Sequence, residues 1–340
     1  MHRNHAVENN NYSVFLDATY YFRRGPVPSY YRVDFDAAPG SSLNNKAVKI
    51  NLPSSNVKFS SFIGSCNGIL CFCRFDYVNS VTLCLLWNPS TQEFKDIVHK
   101  EPYSIKEVMA YGFGYDHKID DYKLILMFQF NFNSEIHVYT LGSSSWKIIG
   151  NTPRVHRGTG ADTYSLKLLN GSMHWVARKV VVTGDQQTVT KVIVSFDIAE
   201  EKTKEIQIPI ATCLLVEEEY KLRNVELVAL GNELHLSVVS GKASDIFELW
   251  VMEDYGVVDS WTKLFSISNN WGWGTLLSFD KSGKILLFTG HCSQGNQVKK
   301  TLVSYDLRYG RSTFLNIDDM PGRFTAETFI GNLVSLNSAR

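Results

Sequence analysis

Three neighbouring cysteines have a spacing that resembles part of a metal site. Cys71 and Cys73 are two residues apart in an apolar run, so both fall on one face of a predicted strand, and Cys66 lies nearby. A structural zinc ion takes about four ligands, usually from two spaced pairs. The sequence holds no second pair of this kind, so we interpret these cysteines as small packing residues and predict no metal or other cofactor.

Two histidines have the residue type of a general base. His174 and His235 stand at similar distances behind predicted tight turns, in the segments NGSMH and GNELH. Equivalent positions behind equivalent turns indicate architecture, and neither histidine has an obvious nucleophile or carboxylate beside it. We interpret both as structural residues, and the neighbouring Met173 and Trp175 as core.

Three further segments resemble parts of catalytic sites. Residues 64–68, GSCNG, have Cys at the centre of a nucleophile-elbow outline, but no helical pattern follows. Residues 278–283, SFDKSG, partly match the Asp-box turn of sialidase-like propellers, and the segment occurs once. The consecutive acids Glu217, Glu218 and Glu219 point in different directions, as in a solvated loop. Turn chemistry explains the first two, so we predict that the protein is not an enzyme.

Composition limits the partners. The 340 residues contain 34 Lys and Arg against 34 Asp and Glu, a net charge of zero, so the chain lacks the positive field by which proteins bind nucleic acid or anionic membranes. Residues 1–12 are polar, and the longest apolar run, 81–87, is too short to span a bilayer. We therefore expect a cytoplasmic or nuclear protein whose six cysteines are reduced thiols.

An internal repeat predicts the fold. Short apolar runs closed by Gly, Asn, Asp and Ser turns occur throughout, and an aromatic residue, usually followed by Asn or Asp, recurs every 52 to 57 residues, at Phe35, Trp87, Tyr139, Phe196, Trp250 and Tyr305. A second aromatic follows four of these, at Phe94, Trp146, Trp261 and Phe314. A tight-turn pair precedes four of them, at residues 67–68, 170–171, 231–232 and 282–283. Two hairpins per period make four strands.

This pattern indicates an all-β, kelch-like β-propeller of six four-stranded blades. We expect a disordered polar N-terminus at residues 1–12, the propeller at 13–337 and a tail at 338–340. The strand-like segment 326–336, AETFIGNLVSL, is expected to pair into the first blade and close the ring. Trp87 and Trp250 are expected in the core, where replacement of either by alanine should cost about 3 to 5 kcal/mol.

The variable loops are the expected place of recognition. In each blade, the connection between the second and third strands and the linker to the next blade emerge on the same face. The expected second-to-third loops are 74–80, 129–135, 178–190, 239–245 and 289–299, and the expected linkers are 98–107, 150–162, 210–223, 267–274 and 317–325. Candidate partner-binding residues in the linkers are Trp271, Trp273, Arg154, His156, Arg157, Lys100 and Lys106.

Each of these candidates has an alternative interpretation. Trp271 and Trp273 are either binding aromatics or a plug for the mouth of the propeller. The five basic residues either lie on a solvated surface or bind an acidic or phosphorylated segment of a partner.

A series of motifs in fixed order resembles the type 1 F-box-associated domain of plant F-box proteins. The motifs are GSCNGILC (64–71), LWNPST (86–91), YGFGYD (111–116), DDYK (120–123), LLNGSMHW (168–175), IVSFD (193–197) and LWVMEDYGVVDSWTKLF (249–265). The resemblance covers roughly residues 13–337. It implies a protein-interaction domain that presents a protein substrate to an SCF-type ubiquitin ligase.

The same resemblance leads us to look for an F-box before the domain. Residues 1–60 contain no LPxD-like start, no helical apolar period and no Trp. We therefore expect this chain not to bind the Skp-class adaptor, either because it is a fragment or because it is a paralogue that competes for substrate. Two rival functions remain: a lectin that uses Trp271 and Trp273 as a sugar platform, and a propeller enzyme acting on sugars, for which the sequence shows no converging carboxylates.

Overall fold

The computed structural model describes the chain except for residues 1–11, 19, 23–24, 28, 36–45, 54–60, 77–78, 80, 101–106, 131–132, 151–163, 184–185, 210–221, 241–245, 269–273, 280–283, 293–297, 330–332 and 337–340. It divides into two compact units, one formed by residues 1–100 and 270–338, the other essentially by residues 101–269. The described residues form β-strands and one short 3₁₀ turn, Val258–Ser260.

The first unit contains three four-stranded antiparallel sheets. In spatial order, the N-terminal sheet is β27 (Thr325–Phe329), β1 (Tyr12–Asp17), β4 (Tyr30–Phe35) and β5 (Val48–Ile50). The next sheet is β6 (Ser61–Cys66), β7 (Ile69–Asp76), β8 (Val81–Trp87) and β9 (Phe94–Lys100). The last is β23 (Gly274–Phe279), β24 (Lys284–Cys292), β25 (Val298–Asp306) and β26 (Arg311–Phe314). A small hairpin, β2 (Tyr20–Phe22) and β3 (Gly25–Val27), lies between β1 and β4 in the chain.

The second unit also contains three sheets, and each holds a four-stranded antiparallel meander. They are β10 (Glu107–Asp116), β11 (Asp121–Phe130), β12 (Asn133–Thr140) and β13 (Ser145–Ile149); β15 (Lys167–Leu169), β16 (Ser172–Thr183), β17 (Gln186–Asp197) and β18 (Lys202–Gln207); and β19 (Leu222–Leu230), β20 (Glu233–Ser240), β21 (Ile246–Met252) and β22 (Trp261–Ser268). A short strand, β14 (Tyr164–Ser165), pairs in parallel with β10.

These six sheets confirm the expected all-β propeller class with six four-stranded blades. The C-terminal strand β27 pairs with β1, with Leu16 opposite Ala326, which confirms the expected pairing of this segment into the first blade. Apolar clusters join neighbouring sheets within each unit. One example packs Met173, Val194 and Phe196 against Ala110 and Ile125.

The repeated aromatics occupy one structural position. All six lie on the third strand of their sheet, and the four downstream aromatics lie on the fourth. The residue after the aromatic closes the following turn: Asn88, Asp197 and Asp306 each accept hydrogen bonds from the N–H groups two and three residues ahead. The recurring aromatic-Asn/Asp signal is therefore the end of a strand followed by an Asx turn.

The tight turns also match the expectation where they are described. Asn67 and Gly68 have φ of 48° and 79°, and Asn170 and Gly171 have φ of 49° and 70°, the left-handed values of a type I′ hairpin. Gly231 has φ of 59°. The expected turn at 282–283 lies outside the described residues, as do Glu217, Glu218 and Glu219.

The glycines of the YGFGYD motif allow two sheets to pack closely. A Cβ atom on Gly114 would stand 2.6 Å from Ile198 Cδ1 and 2.9 Å from Met173 Cε, and one on Gly112 would stand 2.9 Å from Met173 Sδ. Only a residue without a side chain lets β10 approach the next sheet at this distance.

Several expected loops are strands instead. The largest difference is at 178–190, where β16 continues to Thr183 and β17 begins at Gln186, so that only two residues separate them. The β-branched runs VVVT and TVT explain the extension, because such residues favour an extended backbone. The loop expected at 129–135 is likewise shorter, because β11 ends at Phe130 and β12 begins at Asn133.

The expectation of six reduced cysteines is wrong for two of them. Cys73 on β7 and Cys84 on β8 stand directly opposite each other, with Cα atoms 4.2 Å apart, and form a disulfide. That spacing is typical of a non-hydrogen-bonded antiparallel pair, where side chains approach most closely. Cys66 and Cys71 are buried and lie outside this disulfide, and burial raises the pKa of the Cys71 thiol far above its usual value.

We predict that reducing the Cys73–Cys84 bond lowers the free energy of unfolding by about 3 kcal/mol, because the bond closes a loop with a sequence separation of 11 and restricts the unfolded chain. Urea unfolding with and without reductant measures the loss. The control is the Cys73→Ala/Cys84→Ala variant, whose stability should not respond to reductant. Peptide mapping that finds both residues as free thiols in the folded protein would contradict the bond.

Candidate protein-interaction surface

Each sheet has two ends with different connections. We call the end with the first-to-second and third-to-fourth turns the hairpin end, and the end with the second-to-third connection and the linkers the loop end. In the sheet β6–β9, residues 67–68 and 88–93 lie at the hairpin end, and Lys100 lies at the loop end.

A buried lysine organises the hairpin end of the second unit. Lys123 Nζ lies 2.9 Å from Asp116 Oδ2 across the β10–β11 hairpin, 3.0 Å from Glu201 Oε1 and 2.8 Å from the Ile198 carbonyl oxygen of the next sheet. The Lys123 side chain is 5% exposed and that of Asp116 is 1% exposed. The YGFGYD and DDYK motifs therefore supply the two halves of an ion pair within one sheet, and Lys123 links that sheet to the next through Glu201 and the Ile198 carbonyl oxygen.

The pKa values in this cluster reflect strong pairing. Burial by itself raises the pKa of Asp116, but hydrogen bonds from the Lys123 ammonium and the Lys118 backbone N–H hold it below its usual value. Glu201 behaves in the same way, since bonds from Lys147 and Lys123 outweigh its burial and lower its pKa. For Lys123, burial lowers the pKa, and the two carboxylates raise it to a net value above the usual one. All three groups are charged at neutral pH.

His174 is held in a second polar cluster at the hairpin end. Its Nδ1 lies 3.2 Å from the Lys167 carbonyl oxygen and its Nε2 lies 2.5 Å from the Tyr255 hydroxyl, which is also 3.0 Å from Ser195 Oγ. Burial lowers the pKa of His174 to about 4, so the ring is neutral. This confirms His174 as a structural residue: it fixes the β21–β22 turn, through Tyr255, to the neighbouring sheet.

His235 occupies the corresponding strand of the following sheet. It is buried on β20, and its Nε2 lies 3.7 Å from Glu233 Oε2. Met173 and Trp175 are buried in the core between sheets, as expected.

The hairpin end of the sheet β6–β9 is covered by the C-terminal segment. Asn88 donates its side-chain N–H to the Val334 carbonyl oxygen at 2.5 Å. Glu93 accepts from Ser335 Oγ at 2.9 Å and from the Leu336 N–H at 2.7 Å. The LWNPST motif thus closes a turn and binds the end of the described chain.

The structure describes one of the seven candidate partner-binding residues. Lys100 is the last residue of β9, is exposed, and lies opposite Val81 at the loop end of its sheet. Lys106, Arg154, His156, Arg157, Trp271 and Trp273 lie outside the described residues, so their role stays a prediction.

Two features were missed by the sequence interpretation. The first is the Lys123 cluster, because a charge pair across neighbouring sheets leaves no periodic trace in the sequence. The second is the hairpin between β25 and β26, where Arg308, Tyr309 and Arg311 follow the Asx turn. The density of Arg and aromatic residues beside the repeat position was its sequence signal.

The described part of the chain contains neither a cluster of metal-ligating residues nor a membrane-spanning helix. No group of three or more His, Cys, Asp or Glu residues is arranged to hold a metal ion there. Likewise, no helix among the described residues is long and apolar enough to cross a membrane.

Comparison with known proteins gives the family. The model of the F-box associated beta propeller domain matches residues 29–324. The chain therefore belongs to the F-box associated β-propeller family, as the motifs and the six four-stranded sheets indicate.

The relatives are plant F-box proteins. F-box protein CPR1 of Arabidopsis thaliana is 26% identical over 89% of this chain and 73% of its own length. F-box/kelch-repeat protein At3g23880 of the same plant is 30% identical over 60% of this chain and 52% of its own length. Among solved structures, the β-propeller domain of the Trilobed protease from Pyrococcus furiosus is similar with a TM-score of 0.47 and 9% identity, over 91% of this chain and 96% of that one.

Proposed function

We propose that this protein is a non-enzymatic recognition module that binds a protein substrate at its loop end, as part of the SCF-type ubiquitination pathway. The observation that carries the proposal is membership of the F-box associated propeller family, with relatives named F-box proteins. In that pathway, a recognition domain selects the protein to be ubiquitinated and performs no chemistry itself.

The arrangement of polar groups supports the loop end as the binding surface. At the hairpin end, the motif residues Asp116, Lys123 and Asn88 make hydrogen bonds and ion pairs that hold the sheets together. Side chains used in this way are not available to a partner. Lys100, at the loop end, is exposed and makes no described ion pair.

The two tryptophans are the proposed anchors. β22 ends at its loop end with Ser268, β23 begins at its own loop end with Gly274, and Trp271 and Trp273 stand between them in the sequence. Aromatic residues and Arg dominate protein-binding hot spots. The basic residues Lys100, Lys106, Arg154, His156 and Arg157 would bind acidic or phosphorylated positions of a protein partner.

We predict that Trp271→Ala/Trp273→Ala weakens substrate capture at least about tenfold, because truncating a hot spot costs about 2 kcal/mol or more, without loss of the thermal transition. Proximity labelling in plant tissue identifies proteins near the wild-type chain. Purified candidates are then titrated against the wild type and against the tryptophan variant. The control is Phe94→Ala/Val98→Ala, which removes two half-exposed apolar side chains from the outer strand β9.

Three outcomes would contradict this proposal. If the tryptophan variant bound the substrate as tightly as the wild type, Trp271 and Trp273 would not be anchors. If the variant lost its thermal transition, the two tryptophans would belong to the core. Binding of glycans on an array, with no protein partner, would favour the lectin alternative.

A further inference from the structure

The hairpin between β25 and β26 exposes an unusual set of side chains. In the turn Leu307–Gly310 and the first residue of β26, Arg308, Tyr309 and Arg311 all point to solvent, and Tyr309 is 74% exposed. Phe314, at the end of β26, is 52% exposed. Within the described part of the chain, neither guanidinium forms an ion pair.

The equivalent turns of other sheets are used by the fold. The β17–β18 turn binds three lysines of the preceding sheet through Glu200 and Glu201. The β21–β22 turn is held by the Tyr255 hydroxyl, and the β8–β9 turn is covered by the C-terminal segment. In the β25–β26 turn, the described side-chain hydrogen bonds are the two that the Asp306 carboxylate accepts from the backbone N–H groups of Arg308 and Tyr309. The two arginines and Tyr309 are therefore not needed to hold sheets together.

The strand β26 also offers an open edge. It is the last strand of the sheet β23–β24–β25–β26, and all four of its residues are exposed. The Leu315 N–H donates to the Leu302 carbonyl oxygen directly opposite, and β25 pairs Val303 with Phe314. Because facing residues alternate, the N–H and C=O groups of Ser312 and Phe314 point away from β25, toward the open edge.

We propose that β26 and its turn form a second protein-binding site, distinct from the loop end, which binds an extended acidic segment of a partner as an added strand. The outward N–H and C=O groups of Ser312 bond the backbone of that segment. Its carboxylates pair with Arg308 and Arg311, and an apolar side chain packs on Tyr309.

The positive charge of Arg308 and Arg311 favours an acidic segment as the partner. Arg and Tyr are enriched in binding hot spots, and two exposed arginines three residues apart in one hairpin favour carboxylates as partners. A second copy of this chain would instead bring two further guanidinium groups to the same edge, which is unfavourable. A basic segment is excluded for the same reason.

The test uses the full chain and a fluorescein-labelled peptide, Gly-Glu-Val-Glu-Val-Glu-Gly, with a matched peptide in which Lys replaces each Glu. Fluorescence anisotropy should show binding of the acidic peptide alone, and Arg308→Ala/Arg311→Ala should weaken it about tenfold, as expected for two surface ion pairs. The control Lys202→Ala/Lys204→Ala removes two exposed cations from the outer strand β18 and should leave binding unchanged.

Two proline variants test the added strand. Ser312→Pro removes an outward N–H and should abolish peptide binding while the thermal transition persists, whereas Thr313→Pro removes an N–H that faces β25 and should lower that transition. Three results would overturn the proposal: equal binding of both peptides, unchanged binding by the arginine variant, or β26-dependent dimerisation without peptide binding. The Trp271→Ala/Trp273→Ala variant should bind the peptide as the wild type does. The experiment therefore tests this site independently of the proposed binding site at the loop end.

Discussion

Replacing Lys123 by methionine should lower the free energy of unfolding by about 3 kcal/mol, because it leaves the carboxylates of Asp116 and Glu201 without their shared buried cation. Methionine keeps a similar volume, so the loss is electrostatic. Urea unfolding at pH 7 measures it. Lys147→Met is the control: Lys147 also pairs with Glu201, but its side chain is 68% exposed, so we expect a loss of about 0.5 kcal/mol or less. Equal losses would contradict the buried role of Lys123.

The pH dependence gives an independent check of the same cluster. The pKa values of Asp116 and Glu201 are lowered in the folded protein, so their contribution to stability is complete above the unfolded carboxyl pKa of about 4 and is lost as the pH falls through the folded values. In Lys123→Met, burial without the cation raises the pKa of Asp116. The stability difference between wild type and variant should therefore shrink when the pH is lowered from 7 to below about 4.

Replacing Trp87 by alanine should cost about 3 to 5 kcal/mol of unfolding free energy, as truncation of a large core aromatic does. Trp87 is 5% exposed and packs in a cluster with Leu70, Phe72 and Leu85. Alanine would leave a cavity that these neighbours, held on paired strands, cannot fill. Urea unfolding of the variant measures the loss.

Trp250→Ala is the matched comparison, because Trp250 holds the same repeat position on β21. The expectation that it is an equivalent core residue is met only in part: its ring is partly buried against an apolar cluster, its Nε1 lies 3.2 Å from Glu248 Oε2, and Lys263 Nζ lies 5.2 Å from the ring centroid. We expect a loss of about 1 to 2 kcal/mol, because less apolar surface is buried than at Trp87 and an exposed cation–π contact adds little. A loss as large as that of Trp87→Ala would contradict this assignment.

Much of the fold was predictable because its causes are local and repeated. Asn67 and Gly68 favour a type I′ turn whatever surrounds them, and an aromatic followed by Asn or Asp ends a strand in three described sheets. Repetition of these signals about every 55 residues gave the six blades. The strand extension at 178–190 was missed, although the β-branched runs VVVT and TVT there favour an extended backbone.

The candidate site was predictable only in part. The sequence indicated which segments connect blades, and therefore where Lys100 would lie. It gave no sign that Arg308 and Arg311 would be left without ion pairs while Lys123 would be buried among acids, because that depends on which turns meet across neighbouring sheets.

By itself, the sequence determined the class of fold, the number of blades, the family and the positions of the turns, since these follow from local backbone preferences repeated along the chain. The tertiary structure alone decided the pairing of Cys73 with Cys84, the burial of Trp87 against the partial exposure of Trp250, and the use of Lys123 as a link between sheets. Each of these depends on strand register and on the packing of one sheet against the next, which join residues far apart in the chain.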